Sequence, residues 1–260
     1  MKNKQRRILS LVLTVVLLST IPQISAAAAE VSWYFKKNSE HKQPPLDSNL
    51  AFIEKYHCYY LDRAHGDDCT EKVLYLTFDA GYENGNIERI LDVLKEKNVK
   101  GAFFVLSHLI EANTDLVKRM ADEGHLVCNH TMSHKNMAAV TDRSVFEKEL
   151  GGLEKLYAEK IGGEMAKFYR PPEGRLSEEN LKLLDEMGYT TVLWSFAYAD
   201  WDNNKQMPAE KAIQKVLDGT HNGEIILLHP TSKTNADILG RLIDAWREEG
   251  YRFGTLDELQ

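Results

Sequence analysis

The chain has 260 residues, with 32 basic and 39 acidic side chains and a formal net charge of -7. No strongly basic patch is visible, so nucleic acid is not an expected partner; at long range the chain repels a polyanion but not a neutral polymer such as a glycan. Three cysteines, Cys58, Cys69 and Cys128, are an odd number, so at least one is unpaired or pairs between chains.

The chain opens on a basic head, "MKNKQRR", an apolar run, "ILSLVLTVVLL", and the small residues of "SAAAA". This order reads as a secretory signal peptide over residues 1–29, cut near Ala29. The rival reading is an uncleaved anchor, against which the run is short of the ~20 residues a spanning helix needs. Either way the remainder is expected to work outside the cytoplasm, and its ~230 residues suffice for one α/β domain. Residues 30–70 read as an irregular arm with Pro44-Pro45, one helix from about Ser48 to Tyr56, and three aromatics (Trp33, Tyr34, Phe35) expected to pack on the main domain. Cys58 and Cys69 flank a short polar loop, and export permits a disulfide there. Cys128 lies in an apolar run and reads as a buried thiol.

From residue 71 the pattern alternates. Strand-like runs are "VLYLTF", "GAFFVL", "HLVCN", "FYR", "TTVLWSF", "EIILL" and a weaker "YRFGTL". Between them lie helical periods: Ile87, Ile90, Leu91 and Leu94 share one face, as do Leu150, Leu153 and Leu156, Leu181 and Leu184, and Ile213 and Leu217. Ser177 starts "SEENLKLL" with Asn180 where a capping box has Glu or Gln, so the cap is partial. Strands alternating with helices mean parallel strands with helical crossovers, and strands apolar on both faces fit a buried parallel sheet. About seven units fit an incomplete or distorted β/α barrel. An open doubly wound sheet is the rival, weakened by the lack of a glycine-rich phosphate loop after the first strand.

In such folds the site lies at the C-terminal strand ends. Standing there are Asp79, His130, Arg170, Asp200-Trp201 and His229. Each has a bland reading: an Asx turn for Asp79, a structural salt bridge for Arg170, a loop residue for Asp200, core packing for Trp201. His130 and His134, in "HTMSH", are spaced to share one face of a helical turn, a usual way to hold a divalent metal. Asp79 is a candidate general base, Arg170 a partner for a carboxylate, and His229 a general acid oriented by Asp200. The other histidines read as structural or solvated.

In order, "TFDAG", "HTMSH", "RPPEG", "ADW" and "LLH" resemble the five motifs of the polysaccharide deacetylases of carbohydrate esterase family 4, the NodB homology fold. The resemblance spans 72–260, so residues 71–260 are expected to form that domain. It implies a distorted (β/α)7 barrel behind the irregular N-terminal arm, and metal-assisted removal of N-acetyl groups from glycans. It implies Asp79 as the base, His130 and His134 as ligands of a divalent metal, expected to be zinc with the identity left open, and Arg170 as the partner of Asp79. A backbone N–H near Glu173 would stabilise the oxyanion, and Asp200 would tune His229, which protonates the leaving amine. Leu227 and Trp201 would line the acetyl pocket, and Tyr82 joins the substrate-binding set. An amide needs such help: a cation to polarise the carbonyl, a base for water and an acid for nitrogen.

The sequence departs from the family pattern at Ala80, where a second aspartate is the usual third metal ligand, and at Ala197. The arm and "TFDAGYENG" resemble the δ-lactam-biosynthetic de-N-acetylases of spore-forming bacteria. That subgroup implies peptidoglycan as substrate, at muramic acid already stripped of its peptide by a muramoyl-L-alanine amidase. The signal peptide sets an expectation of export to the cell wall or forespore intermembrane space, and the chain is expected to be a monomer. The competing readings are a glycan-binding protein with a dead site, motivated by Ala80, and an ordinary chitin or GlcNAc deacetylase.

Overall fold

The computed structural model describes residues 30–37 and 40–259; the segment read as a signal peptide lies outside them. The strands in chain order are β1 (Val31–Ser32), β2 (Cys58–Tyr59), β3 (Lys72–Ala80), β4 (Ala102–Val105), β5 (Leu126–Asn129), β6 (Ala166–Tyr169), β7 (Arg175–Leu176), β8 (Thr190–Val192), β9 (Phe196–Ala197), β10 (Glu224–Leu228) and β11 (Tyr251–Phe253). β1 and β7 form a separate antiparallel ribbon. The others form a nine-stranded sheet in the order β2-β8-β6-β5-β4-β3-β10-β9, with β11 also on β3, and every pair is parallel. The helices are α1 (Asn86–Glu96), α2 (Ser107–Ala112), α3 (Thr114–Asp122), α4 (Arg143–Phe146), α5 (Gly152–Lys160), α6 (Glu178–Glu186), α7 (Ala209–Gly219) and α8 (Lys233–Glu248). The result is the expected distorted (β/α)7 barrel, and the open-sheet rival falls away.

The run "TTVLWSF", expected as one strand, is two. Thr191 and Leu193 donate their N–H groups to His57 O and Tyr59 O, both at 2.7 Å, on one side; Ser195 N–H donates to Ile225 O at 3.0 Å on the other. The chain thus changes partner within three residues and bridges the two edges of the curled sheet. A partner for the first half comes from the arm, because β2 adds to β8. No alternation marks a two-residue strand, so β2 was invisible in the sequence.

Alternation along β3 sorts its side chains into two rows. Val73 and Tyr75 pack with Phe104, Cys128 and Ile225 inside the barrel. Leu74, Leu76, Phe78 and Ala80 belong to the layer beneath α1 and α8. Thr77 and Asp79 continue the inner row. The apolar stripe of α1 is buried as its spacing predicts, each such Leu or Ile contributing about 1.5–3 kcal/mol. Ser177 caps α6 by accepting from Asn180 N–H at 3.3 Å, while the Asn180 side chain donates to Val140 O instead of reaching back.

In the arm, Trp33 is buried, with Nε1 donating to Trp194 O at 2.9 Å, and the Phe35 ring lies 6.5 Å from that of Phe196. Tyr34, expected to pack as well, is 45% exposed. The arm helix is a 3-10 helix, Ser48–Lys55, capped by Asp47. All three thiols are free, so the disulfide permitted between Cys58 and Cys69 is not formed; Cys58 and Cys128 are buried, and burial pushes their pKa values up.

Candidate active site

Asp79 stands at the end of the inner row of β3. Arg170, fully buried after β6, donates Nη1 to Asp79 Oδ1 at 2.9 Å and Nη2 to Thr77 Oγ1 at 2.8 Å. Its Nε donates to Val192 O at 3.0 Å, and its guanidinium lies 4.2 Å from the Phe104 ring centre. Burial alone would raise the Asp79 pKa, but the charges of Arg170, His130 and His229 outweigh it and hold the carboxyl below the usual range. Asp79 is therefore an ionised carboxylate in a sheltered place.

His130 follows β5 and is buried. Its Nδ1 lies 2.8 Å from Arg170 O, and its Nε2 lies 3.6 Å from Asp79 Oδ2. Burial pushes its pKa down to about 4, so the ring is neutral near pH 7. A neutral ring that donates Nδ1–H to a carbonyl carries its lone pair on Nε2. Two acceptors, Nε2 and the Asp79 carboxylate, then face each other, an arrangement that suits a cation between them. The His134 ring centre is 5.0 Å from that of His130. The pair does not share a helical turn, as the spacing suggested: residues 130–134 form a bent loop in which Thr131 (φ 74) and His134 (φ 57) take left-handed backbone. That double reversal, which costs non-glycine residues energy, turns both rings to one side.

What holds the loop is a π-helical segment, Glu147–Gly151, between α4 and α5. Glu149 O accepts from Met132 N–H at 3.0 Å, and Leu150 O accepts from Asn129 Nδ2 at 3.0 Å. The Glu149 carboxylate also accepts from Ser133 N–H at 3.1 Å and from its hydroxyl at 3.0 Å. Sequence reading missed Glu149, since nothing local marks a π segment.

Across the site, His229 follows β10. Its Nδ1 is 2.7 Å from Asp200 Oδ1, and its backbone N–H donates to Asp200 Oδ2 at 2.8 Å. Burial lowers the His229 pKa, but the hydrogen bond and charge of Asp200, with the charge of Asp79, more than offset this and leave it raised. Asn235, in the first turn of α8, donates Nδ2 to Asp200 Oδ2 at 2.6 Å and to His229 O at 3.1 Å, while its Oδ1 accepts from Tyr198 Oη–H. Gln206 Nε2 donates to Asp200 O at 2.9 Å. The sequence reading did not single out Asn235 or Gln206. Thr77 was legible in principle, two residues before Asp79 on the same row.

Of the remaining predicted residues, Leu227 is buried in β10 beside Thr77 and Ala197. Glu173 has left-handed backbone (φ 58), and its exposed carboxylate pairs with Arg175 Nε at 2.8 Å. Trp201 is 62% exposed, which removes the core-packing reading. Tyr82 is 44% exposed, and its hydroxyl accepts from Asn203 Nδ2 at 2.7 Å, joining the "GYENG" turn to the loop after Asp200. That turn is well anchored: Asn84 and Asn86 donate to Thr231 O at 2.9 and 3.0 Å, and Glu83 accepts from Ile87 N–H at 3.1 Å at the start of α1. Ala80 is fully buried in the outer apolar row. Among the described residues no three His, Cys, Asp or Glu side chains gather as a metal site, and position 80 offers no ligand; what could hold a cation is His130 and His134, rings 5.0 Å apart, with the Asp79 carboxylate 3.6 Å from His130 Nε2.

The profile of the family "Polysaccharide deacetylase" matches residues 66–192. The chain is 38% identical over 231 residues to the peptidoglycan-N-acetylmuramic acid deacetylase PdaA of Bacillus subtilis, covering 88% of this chain and 85% of that protein. The chain belongs to the polysaccharide deacetylase family. The solved structure of B. subtilis PdaA, a family 4 carbohydrate esterase, superposes with a TM-score of 0.83 at 37% identity, covering 89% of this chain and 97% of that one. A peptidoglycan-N-acetylglucosamine deacetylase of Bacillus cereus is 35% identical over 214 residues, covering 81% of this chain and 74% of that protein. This polysaccharide deacetylase is accordingly an amide hydrolase, and its fold is that of family 4.

Proposed function

We propose that this deacetylase acts on peptidoglycan and removes the N-acetyl group of peptide-free muramic acid, a step toward the muramic δ-lactam of spore cortex. The observation that carries this reading is the pairing of a sheltered, ionised Asp79 with an Asp200-held His229 across one rim, in a chain similar over most of its length to PdaA. The freed amine lies next to the lactyl carboxyl and can close on it, so a muramoyl-L-alanine amidase acts first to expose that carboxyl. Residues 1–29 support export, and so a place in the cell wall or the forespore intermembrane space.

His130 and His134 would hold a divalent cation, zinc being a suitable one for imidazole ligands. When bound, that cation supplies the charge that polarises the amide carbonyl. Asp79 takes the proton of the attacking water, and Arg170 keeps Asp79 ionised and aimed. His229, protonated through Asp200, gives its proton to the departing nitrogen. Ala80 favours a second reading, a glycan-binding homologue of little or no turnover.

Glycan strands stripped of peptide by an amidase, incubated with the chain with and without chelator and read by mass spectrometry, decide between the two. Acetyl loss or lactam that vanishes with chelator is the expected result. A folded protein that yields no product with any added divalent metal leaves the binding reading.

A further inference from the structure

Between the arm and α7, on the outer side of β9, lies a cavity of about 510 Å3 that contains none of the residues of the site above. Half-buried Phe35 gives it an aromatic floor, backed by the buried Phe196 ring 6.5 Å away. Its rim carries four lysines: Lys36 and Lys37 from the arm, and Lys211 and Lys215 one turn apart on α7. One carboxylate, Asp218, shares the lining and accepts from Gln214 Nε2 at 2.5 Å. His221 closes the inner end, and burial pushes its pKa down to about 4, so it adds no charge near pH 7. Among the described residues, only Lys36 of the four lysines makes an ion pair, with Asp47 at 3.2 Å.

The local charge is therefore positive in a chain whose net charge is -7. A second surface hollow, of about 540 Å3, has the opposite sign, lined by Glu83, Glu88, Glu111 and Asp115 with Arg119 against them. The basic cavity also adjoins the catalytic loop. Ala197 on its wall precedes Asp200 by three residues, and Met207 on its rim follows Gln206, which holds the Asp200 carbonyl.

We propose that this cavity is an accessory subsite for an acidic glycan, with a sugar face on Phe35 and sugar carboxylates among the four lysines. It rests on the function proposed above, since a peptide-free strand carries one free lactyl carboxylate per muramic acid and so is an acidic glycan. The net negative charge of the chain does not oppose this at contact, because charges are screened beyond about 8 Å at physiological salt. The flat C–H face of a sugar suits an aromatic floor, and a flexible lysine ring suits carboxylates that recur along a chain without fixed orientation. The subsite would select strands already stripped of peptide and hold them beside the catalytic rim.

The test titrates the full chain against fluorescently labelled peptide-free glycan strands and, in parallel, a neutral N-acetylglucosamine oligomer of equal length. The variant is Lys211→Glu with Lys215→Glu, on the surface of α7. The wild type is expected to bind the acidic strand at least about tenfold more tightly at low salt, and the double charge reversal to abolish that preference. Neutral-oligomer binding and turnover of a short muramic acid disaccharide stay unchanged. Equal wild-type affinity for both ligands, or an undiminished preference in the variant, overturns the subsite. Wild-type strands bound with this charge preference but never deacetylated would leave the subsite standing and remove the proposed activity.

Discussion

Arg170 and Asp79 form a buried ion pair at 2.9 Å in which the arginine is fixed from four directions, by Thr77 Oγ1, Val192 O, Leu193 O and the face of Phe104. Arginine is required here because its planar fork reaches several acceptors at once, which a lysine ammonium cannot. Replacing Arg170 with Met strands a buried carboxylate, and stability should fall by about 3–5 kcal/mol in urea unfolding. Arg170→Lys should recover part of the stability and little of the activity. Wild-type stability in Arg170→Met would mean that Asp79 is solvated in a way the geometry does not indicate.

The Asp200–His229 pair sets a pH dependence with a definite sign. The His229 pKa is raised in the folded protein, so the pair stabilises the fold fully below the usual imidazole value and loses that contribution as pH rises through the raised one. Activity should follow the same limb if, as proposed, His229 gives its proton to the leaving nitrogen. In Asp200→Asn the supporting charge is gone and burial dominates, so the alkaline limb should move to lower pH and kcat should fall by roughly 10²–10⁴. An alkaline limb left in place would assign it to another group.

Asn235 earns attention as a positioning residue, since its amide bridges Asp200 Oδ2 and His229 O while Tyr198 fixes which end of the amide faces them. Asn235→Ala leaves one Asp200 oxygen short of a donor, at a stability cost of about 1–3 kcal/mol. A fall in kcat at nearly constant KM is expected, and Tyr198→Phe should show the same change in weaker form. If Asn235→Ala lowers only the folded fraction, with normal kcat per folded molecule, its role is structural alone.

Ala80 lies in the outer apolar row of β3, beneath the helices. Cation affinity, measured by competition with a chelating dye, should therefore be weaker than in relatives with two aspartates at this motif. Ala80→Asp should strengthen it, by roughly 10- to 100-fold if the carboxylate swings to the rim. The same substitution should lower the melting temperature of the metal-free protein, because a carboxylate replaces a buried methyl. A variant with stronger cation binding and no loss of metal-free stability would show that the side chain at 80 is not held in the apolar layer.

The strands that carry the site were readable because a buried parallel strand is a run of apolar residues that stops abruptly at its polar end, and Asp79, His130, Arg170 and His229 stand at such stops. Asp200 could be placed only near its strand. Three things escaped. The run from Thr190 to Phe196 has uniform apolar character, while its change of partner depends on which edges the curled sheet brings close. The histidine loop looked helical because four-residue spacing is shared by a helical turn and by a loop with two left-handed residues. Asn235 and Glu149 act across 35 and 16 residues from the groups they hold, Asp200 and Ser133, and no local pattern records such distances.

The π segment at Glu147–Gly151 is what an α-helix becomes when it takes in one residue more than its hydrogen-bond ladder can register. The surplus residue frees carbonyls at Glu149 and Leu150, and these are the groups that hold Met132 and Asn129 on either side of His130. The helix from Arg143 to Lys160 would thus survive the deletion of a single residue here, and would become more regular. The histidine loop would not keep its anchors. In this chain a length change of one residue, in a helix that supplies none of the residues of the catalytic rim, is a route by which the site could be gained or lost while the barrel stays whole.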